Sequence, residues 1–488
     1  MYTSPIYMGE AFYMKRTKMK KIGNYFKDFA QAVVHGDIWV KLSLVIMGAG
    51  YFGRKQFVRG ILMTLLEVGV LASIFGVFAP YLSKLNTLGT VQREEVFDIV
   101  TMKKTVNDYD NSLLILLYGI IAILVIIAFI VLYLQNIKAV YRIQKMSENG
   151  EHINNIKDDI ASFKNERFHI TLLTLPSIGV ILINIIPILF MVCIAFTNYD
   201  ENHQPPSYLF TWVGFKNFVN LFTTSQTITF GYAFVRVLIW TLVWAVLATA
   251  TTFLGGILLA QFINHEDTKF KGMWRTLFVI TIGIPQFVTL LLISKMFGDN
   301  GIVNTFCSNV GILDFFKNIG LLNAGDACIP FLSRPIWAHI TIILVNIWVG
   351  IPYQMLVATG ILMNIPSDQI ESAKIDGANK FQIFWKITMP YVMFITGPSL
   401  IQSVIGNINN FNVIYLLTYN YQTTNMAMAN SHANEVDLLI TWLFRLTNEY
   451  SNFKMASVIG IVTFVVCAAL SLLTFSRMIG GDKEGVYR

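Results

Sequence analysis

The residues from Glu371 to Pro390 read ESAKIDGANKFQIFWKITMP and lie between two long apolar stretches. A simple reversal between two membrane helices needs only a few polar residues. Here Ser367 is placed to cap a helix, and Asp368 and Glu371 sit near its positive end. Ile370, Ala373 and Gly377 recur on one narrow, smooth face. Gly377 permits a turn that a side chain resists. A second short helix gathers Phe381, Phe384, Trp385 and Thr388 on one side, and Pro390 marks the return to the membrane. A helix with an apolar face lies on lipid, packs on its own protein or docks into a partner. Lipid-bound helices carry Lys and Arg on the polar face, whereas this one sets Asp368, Glu371 and Asp376 against Lys374. The pattern favours a protein partner.

The second set of chemically capable residues lies within the apolar stretches: Gln286 after Pro285, Tyr353 and Gln354 after Pro352, and Asn407, Asn409 and Asn410. Amides there are costly unless buried against protein or a polar cavity. Amides and aromatic rings suit a neutral, hydroxyl-rich ligand such as a sugar; the alternative use of each is a helix–helix hydrogen bond. Charges inside the stretches are few. Glu67 lies near the cytoplasmic end of the first, suited to snorkelling or a structural pair, and Arg236 begins the fourth near the outer surface. Their scarcity speaks against a proton-coupled carrier and an anionic substrate. No Cys/His cluster with metal-ligand spacing occurs, and His265-Glu266 lacks the second histidine of a metalloprotease helix. No G-x-x-x-x-G-K-[ST] occurs either, so the chain is not expected to cradle ATP itself.

The elements that must position these residues are membrane spans. The 488 residues are 55% hydrophobic and 13% charged, against about 25% charged in soluble domains. A span needs about 20 mostly apolar residues. Eight candidates follow: about 60–82, 112–134, 170–196, 233–262, 274–296, 337–363, 391–418 and 454–476. The run WVKLSLVIMGAGYF at 39–52 is too short to cross and reads as interfacial or re-entrant; no secretory signal precedes it. With both termini in the cytoplasm, 25 of the 36 Lys and Arg fall inside, as the positive-inside rule requires. Those basic residues flank apolar runs, so the pI near 9.0 indicates topology and not nucleic acid. The chain divides into a cytoplasmic N-terminal region (1–58), two N-terminal spans with a linker (59–168), a core (169–477) carrying the patterned loop 365–390, and a tail (478–488). Cys307 and Cys328 share an outer loop, where they form a disulfide or remain two thiols.

Glu371-Ser-Ala373, Gly377 three residues later and Ile387-Thr-Met-Pro390 nine further on resemble the EAA signature of ABC-importer permeases. Ser372 and Met389 depart from it conservatively. WVGIPYQMLVATGILMNIPSDQIESAKIDGA and NINNFNVIYLLT extend the resemblance to the larger membrane subunit of maltose/maltodextrin-type importers, and GDIWVKLSLVIMGAG with RKQFVRGILMTLLE fits its Gram-positive branch. The resemblance implies an all-α permease with six core spans and two extra at the N-terminus, in a bacterial plasma membrane. It implies that Glu371, Ala373, Asp376, Gly377 and Pro390 serve coupling to an ATPase. By matching positions, Gln286, Tyr353, Asn407 and Asn410 are sugar-contact candidates, with Gly350 as a point of close approach. The implied partners are a second permease subunit, two ATPase subunits that bind ATP and Mg, and an extracellular solute-binding protein. The usual Gly-Gly-Pro after LLT is replaced by YNYQTT, which changes the outer surface offered to that protein. A related importer of another sugar or glycerol phosphate, a secondary transporter and a membrane-embedded enzyme are the competing readings.

Overall fold

A computed structural model of the chain describes residues 29–98, 103–225, 229–265 and 267–481. The expectations for the first 28 residues and for 482–488 lie outside the described residues. Two compact units emerge: the chain up to Cys193 together with Asn202–Trp212, and Ile194–Glu201 together with the chain from Val213 onward.

In the first unit, α1 (Ile38–Leu42) and α2 (Ala49–Phe52) form the run at 39–52. Both helices are far too short to cross a membrane, as expected. Between them Met47 is fully buried. Its N–H donates to Glu67 Oε2 at 2.8 Å and its carbonyl accepts from Asn136 Nδ2 at 2.9 Å. Glu67 therefore spends its carboxylate on a structural bond, offsetting the cost of a buried, unpaired backbone donor. It belongs to α3 (Phe57–Ser73), which continues through a π-helical turn into α4 (Ala79–Lys84). Strands β1 (Glu95–Asp98) and β2 (Lys103–Val106) pair antiparallel beyond it. Then α5 (Ser112–Glu148), α6 (Ile156–Lys164), α7 (Phe168–Val180) and, after a second π-helical turn, α8 (Ile186–Ile194) follow.

The second unit is built on α10 (Phe230–Asn264), which follows the short α9 (Lys216–Phe222). Its remaining helices are α11 (Lys271–Ile280), α12 (Gln286–Met296), α13 (Ile302–Asn309), α14 (Ile312–Asn318), α15 (Pro335–Leu362), α16 (Ser367–Ile375), α17 (Lys380–Ile383), α18 (Met389–Ile408), α19 (Phe411–Thr418), α20 (Met426–Ala429), α21 (Leu439–Asn448) and α22 (Phe453–Gly481). The α10–α15 pair is parallel. Trp240 stacks on His339 near one end, and Asn264 Nδ2 lies 3.4 Å from Thr359 Oγ1 near the other.

Among the described residues, seven helices or helix runs are long and apolar enough to span, and an eighth span arises if the bent pair α11–α12 counts as one. That pair is expected span 274–296, which is not straight: its halves meet at 91°. Pro285 cannot donate to a helix, and Ile284 before it is held extended. The pair still has to cross, because it carries the chain from the Asn264 end of α10 to the Pro335 start of parallel α15, which lies at the opposite end. On the outer side Lys454 Nζ meets Asp200 Oδ2 at 2.5 Å. There too, buried Asp437 accepts from Asn434 N at 2.7 Å and Thr441 Oγ1 at 3.0 Å, with Arg445 Nη2 at 3.3 Å. Cys307 and Cys328, for which the sequence leaves a disulfide and two thiols open, are free thiols here, Cys307 buried in a cluster with Leu313, Leu322 and Ile329.

In the first unit Asp110 pins the outer segment after α4. Its Oδ1 lies 2.6 Å from Lys84 Nζ, and its Oδ2 accepts from Thr90 N at 2.9 Å and Val91 N at 3.2 Å. Burial pushes the carboxyl up, but Lys84 and the two N–H groups outweigh it and hold the carboxyl below its ordinary value. Stability from this group is present above the unfolded value of about 3.9 and is lost as pH falls through the lowered native value. We expect Asp110→Asn to cost about 1–3 kcal/mol at neutral pH by leaving donors unpaired. Hydrogen exchange across residues 84–112 should quicken, and the difference from the unaltered chain should vanish in strong acid.

Candidate functional site

Two places carry most of the residues that the sequence singles out, and both belong to the second unit. The first is an elbow formed by α16, α17 and the turn between them. Helix α16 begins at Ser367, which is therefore its first residue and not its cap; the cap position falls on Pro366, and no side chain caps the helix. The hydroxyl instead lies 3.3 Å from Asp368 Oδ1. At its other end Gly377 has φ +78°. Gly377 N donates to Lys374 O at 3.1 Å and Ala378 N to Ala373 O at 2.9 Å. This paired closure satisfies two otherwise orphaned carbonyls and requires a left-handed residue at Gly377. Asn379 and Gln382 then close a reciprocal box: Gln382 N donates to Asn379 Oδ1 at 2.8 Å and Asn379 N to Gln382 Oε1 at 2.9 Å. The turn is thus fixed on both sides by hydrogen bonds.

The expected second short helix is not separate. Helix α17 runs through a π-helical turn, Phe384–Thr388, directly into α18, and Pro390 lies inside that continuous run. The wide turn accommodates a proline that lacks an N–H and crowds the preceding turn. Glu371, Asp376, Ile375, Phe381 and Gly377 are all exposed on the elbow, Ile375 at 87% and Phe381 at 71%. Lys380 Nζ lies 3.2 Å from His265 Nε2, joining the elbow to the turn after α10. Both segments therefore lie on one side of the membrane, as the expected topology requires.

The second place is a cavity of about 710 Å³ between the broken span and α15. Gln286 and Tyr353 both line it, joined by Thr281, Thr289, Trp274 and Trp348. Among the described residues no Asp, Glu, Lys, Arg or His lines it. Gln286 reaches it because the break at Pro285 makes it the first residue of α12. The tryptophans and threonines were not singled out from sequence, since an aromatic or hydroxyl residue in a span is equally at home against lipid or a neighbouring helix.

Asn407 and Asn410 do not line this cavity. They lie together at the break between α18 and α19. Asn407 Nδ2 donates to Thr249 Oγ1 at 2.9 Å, Asn410 Nδ2 to Asn407 Oδ1 at 3.2 Å, and Val413 N to Asn410 Oδ1 at 3.3 Å. Fully buried Trp244 donates from Nε1 to Asn407 O at 3.1 Å. These amides cap a helix and hold it to α10. Gly350 serves helix packing: a Cβ there would lie 2.6 Å from Thr252 Cγ2 on α10.

Residues 252–479 match the family of binding-protein-dependent transport system inner membrane components. The galactooligosaccharides transport system permease protein GanP of Bacillus subtilis is 33% identical over 449 residues, covering 91% of this chain and 98% of its own. The maltodextrin transport system permease protein MalC of Streptococcus pneumoniae is 31% identical over 448 residues, covering 91% and 97%. Among solved structures, a bacterial ABC transporter involved in the import of the acidic polysaccharide alginate aligns over 66% of this chain and 99% of its own, at 22% identity and a TM-score of 0.48.

Gly350→Ala distinguishes packing from ligand approach. It should lower stability by about 1–3 kcal/mol through overpacking. Adding Thr252→Ser, which removes the clashing methyl, should restore most of the loss in a thermal unfolding assay.

Proposed function

The chain belongs to the family of binding-protein-dependent transport system inner membrane components, and on that premise we propose that it imports maltodextrin-type oligosaccharides as one membrane subunit of an ATP-driven system. The observation that carries this reading is the doubly hydrogen-bonded elbow at Gly377, exposed on one side of the membrane and continuous with two spans. Such a body transmits a push without absorbing it.

In this reading two ATPase subunits, which bind ATP and Mg, receive the elbow. Glu371, Asp376 and the exposed face of α16 make the contact, Gly377 and the Ala373 carbonyl fix its shape, and Pro390 sets the entry into α18. ATP binding draws the elbows together and turns the cavity outward; hydrolysis returns it. A second permease subunit completes the pathway. A solute-binding protein delivers the sugar to the outer loops, lipid-anchored on a Gram-positive cell. The membrane is the bacterial plasma membrane.

The cavity favours a neutral substrate. Aromatic faces offer apolar area to sugar C–H groups, and Gln286 and the threonines offer donors and acceptors. Its uncharged lining weighs against glycerol phosphate, which needs a cationic partner. Asn407 and Asn410 reach a sugar only by exchanging their present hydrogen bonds. GanP is named for galactooligosaccharides, so a galactose-containing oligosaccharide is the second reading; competition between the two sugars during uptake separates them.

Vesicles holding the full assembly should take up maltodextrin only with ATP inside. Glu371→Ala should reduce uptake and sugar-stimulated ATP hydrolysis by ten-fold or more while leaving the assembly's thermal stability unchanged. Gln286→Ala should raise the half-saturating sugar concentration instead. Uptake that persists without the ATPase subunits contradicts the proposal.

A further inference from the structure

Beside the elbow, where α10 and α11 diverge, lies a second groove, of about 860 Å³. One wall is apolar: Leu258 and Phe262 come from α10, Met273 and Trp274 from α11. The other is polar: Gln261, His265, Asp267, Thr268 and Lys269 line it along the end of α10 and the connecting turn. Three observations indicate what fills it.

The apolar wall continues a stripe on the membrane-spanning surface. Val235, Ile239, Val243, Val246, Leu254, Leu258 and Phe262 are exposed along one side of α10, and the stripe ends in the groove. On α11, Met273, Leu277 and Ile280 are exposed in the same way. Phe270 has φ +57°, a left-handed conformation that L side chains adopt at a cost. Its ring is nevertheless 74% exposed. A bulky side chain held out at such a cost fits a surface that wets it with something other than water. Finally, the charges are sorted. Lys271 Nζ turns to Asn264 O at 3.3 Å, and Arg275 turns to the Asn264 side-chain oxygen. Asp267 pairs with His265 Nδ1 at 3.3 Å. Among the described residues Lys269 makes no ion pair, so its ammonium is uncommitted, next to the positive N-terminal end of ten-residue α11.

We propose that this groove binds one anionic phospholipid of the leaflet on the elbow's side. Its acyl chains continue the stripe past Leu258, Phe262 and Met273. Its phosphate takes the charge of Lys269, and Phe270 enters the boundary between headgroup and chains, where aromatic and basic residues are favoured together. The lipid then sits against the turn whose His265 meets Lys380 of the elbow, within reach of the coupling segment. This inference needs only that the helices span a membrane; it does not rest on the sugar reading, and loss of sugar uptake leaves it untouched.

The test uses the full assembly, purified in detergent and examined by native mass spectrometry after exchange with phosphatidylglycerol or phosphatidylcholine. One phosphatidylglycerol per copy of this chain should survive delipidation, with phosphatidylcholine retained at least five-fold less. Lys269→Gln, an exposed change, should lower that retention at least five-fold. Phe270→Gly should do the same without lowering Tm, because glycine accepts the left-handed backbone. Equal retention of the two lipids overturns the proposal, as does retention unaltered in both variants. Displacement of the lipid by millimolar glycerol 3-phosphate assigns the groove to a soluble anion and overturns it too.

Discussion

The backbones of α10 and α15 approach so closely that side chains have no room between them. A Cβ on Gly256 would lie 2.4 Å from Gln354 Cβ and 2.8 Å from its carbonyl carbon, and one on Gly255 would lie 2.5 Å from Ile351 Cδ1. With Gly350 against Thr252, three glycines form one interlocking seam. Two apolar helices in lipid gain nothing from hiding hydrophobic surface from each other. Close packing of small residues holds them instead. The cavity has Gly255 and the Ile351–Tyr353 stretch of the same seam in its wall, and the elbow follows α15 after a short connection.

On the proposed function, the seam and the elbow together give a push at Glu371 a path to the cavity. The elbow's turn is closed by hydrogen bonds at Gly377 and at Asn379, so it tilts rather than bends. On one side a short connection joins it to α15, which packs along α10. On the other it continues without interruption into α18. Among the described residues, three π-helical turns occur, at 74–78, 181–185 and 384–388, and each precedes a proline by one intervening residue: Pro80, Pro187 and Pro390. In each case the wide turn relieves the ring's clash while the helix carries on. Pro80 and Pro187 thus stay within single spans, as the sequence reading has them, and Pro390, read from sequence as the point of return to the membrane, lies inside a continuous helix.

Much of this was legible beforehand, for reasons that differ from residue to residue. Long apolar runs must become spans, so the eight crossings followed from composition and length. Gly377 was legible because its neighbours supply helix-end chemistry on both sides. The 91° bend at Pro285 was not, because a proline in a span can kink, break or merely widen a helix, and only the packing against α15 selects among these. The amides were legible as polar residues needing partners, but not which partners. Gln286 and Tyr353 meet in one cavity because of the bend, while Asn407 and Asn410 are drawn to Thr249 and the start of α19. Gly350 shows the same ambiguity. A glycine tells of close approach without saying whether the visitor is a ligand or a neighbouring helix, and here it is Thr252.

The central claim is that α10 and α15 move as one body through the transport cycle. Paired cysteines at Thr252 and Gly350 test it most directly. The Cβ separation there, 3.3 Å for an ideal Cβ on Gly350, lies just below the usual range for a disulfide, about 3.5–4.5 Å. The account predicts that the pair oxidises readily in the membrane and that ATP-driven uptake survives the cross-link. Failure to cross-link in a folded assembly, or uptake that stops on oxidation and returns on reduction, would contradict it.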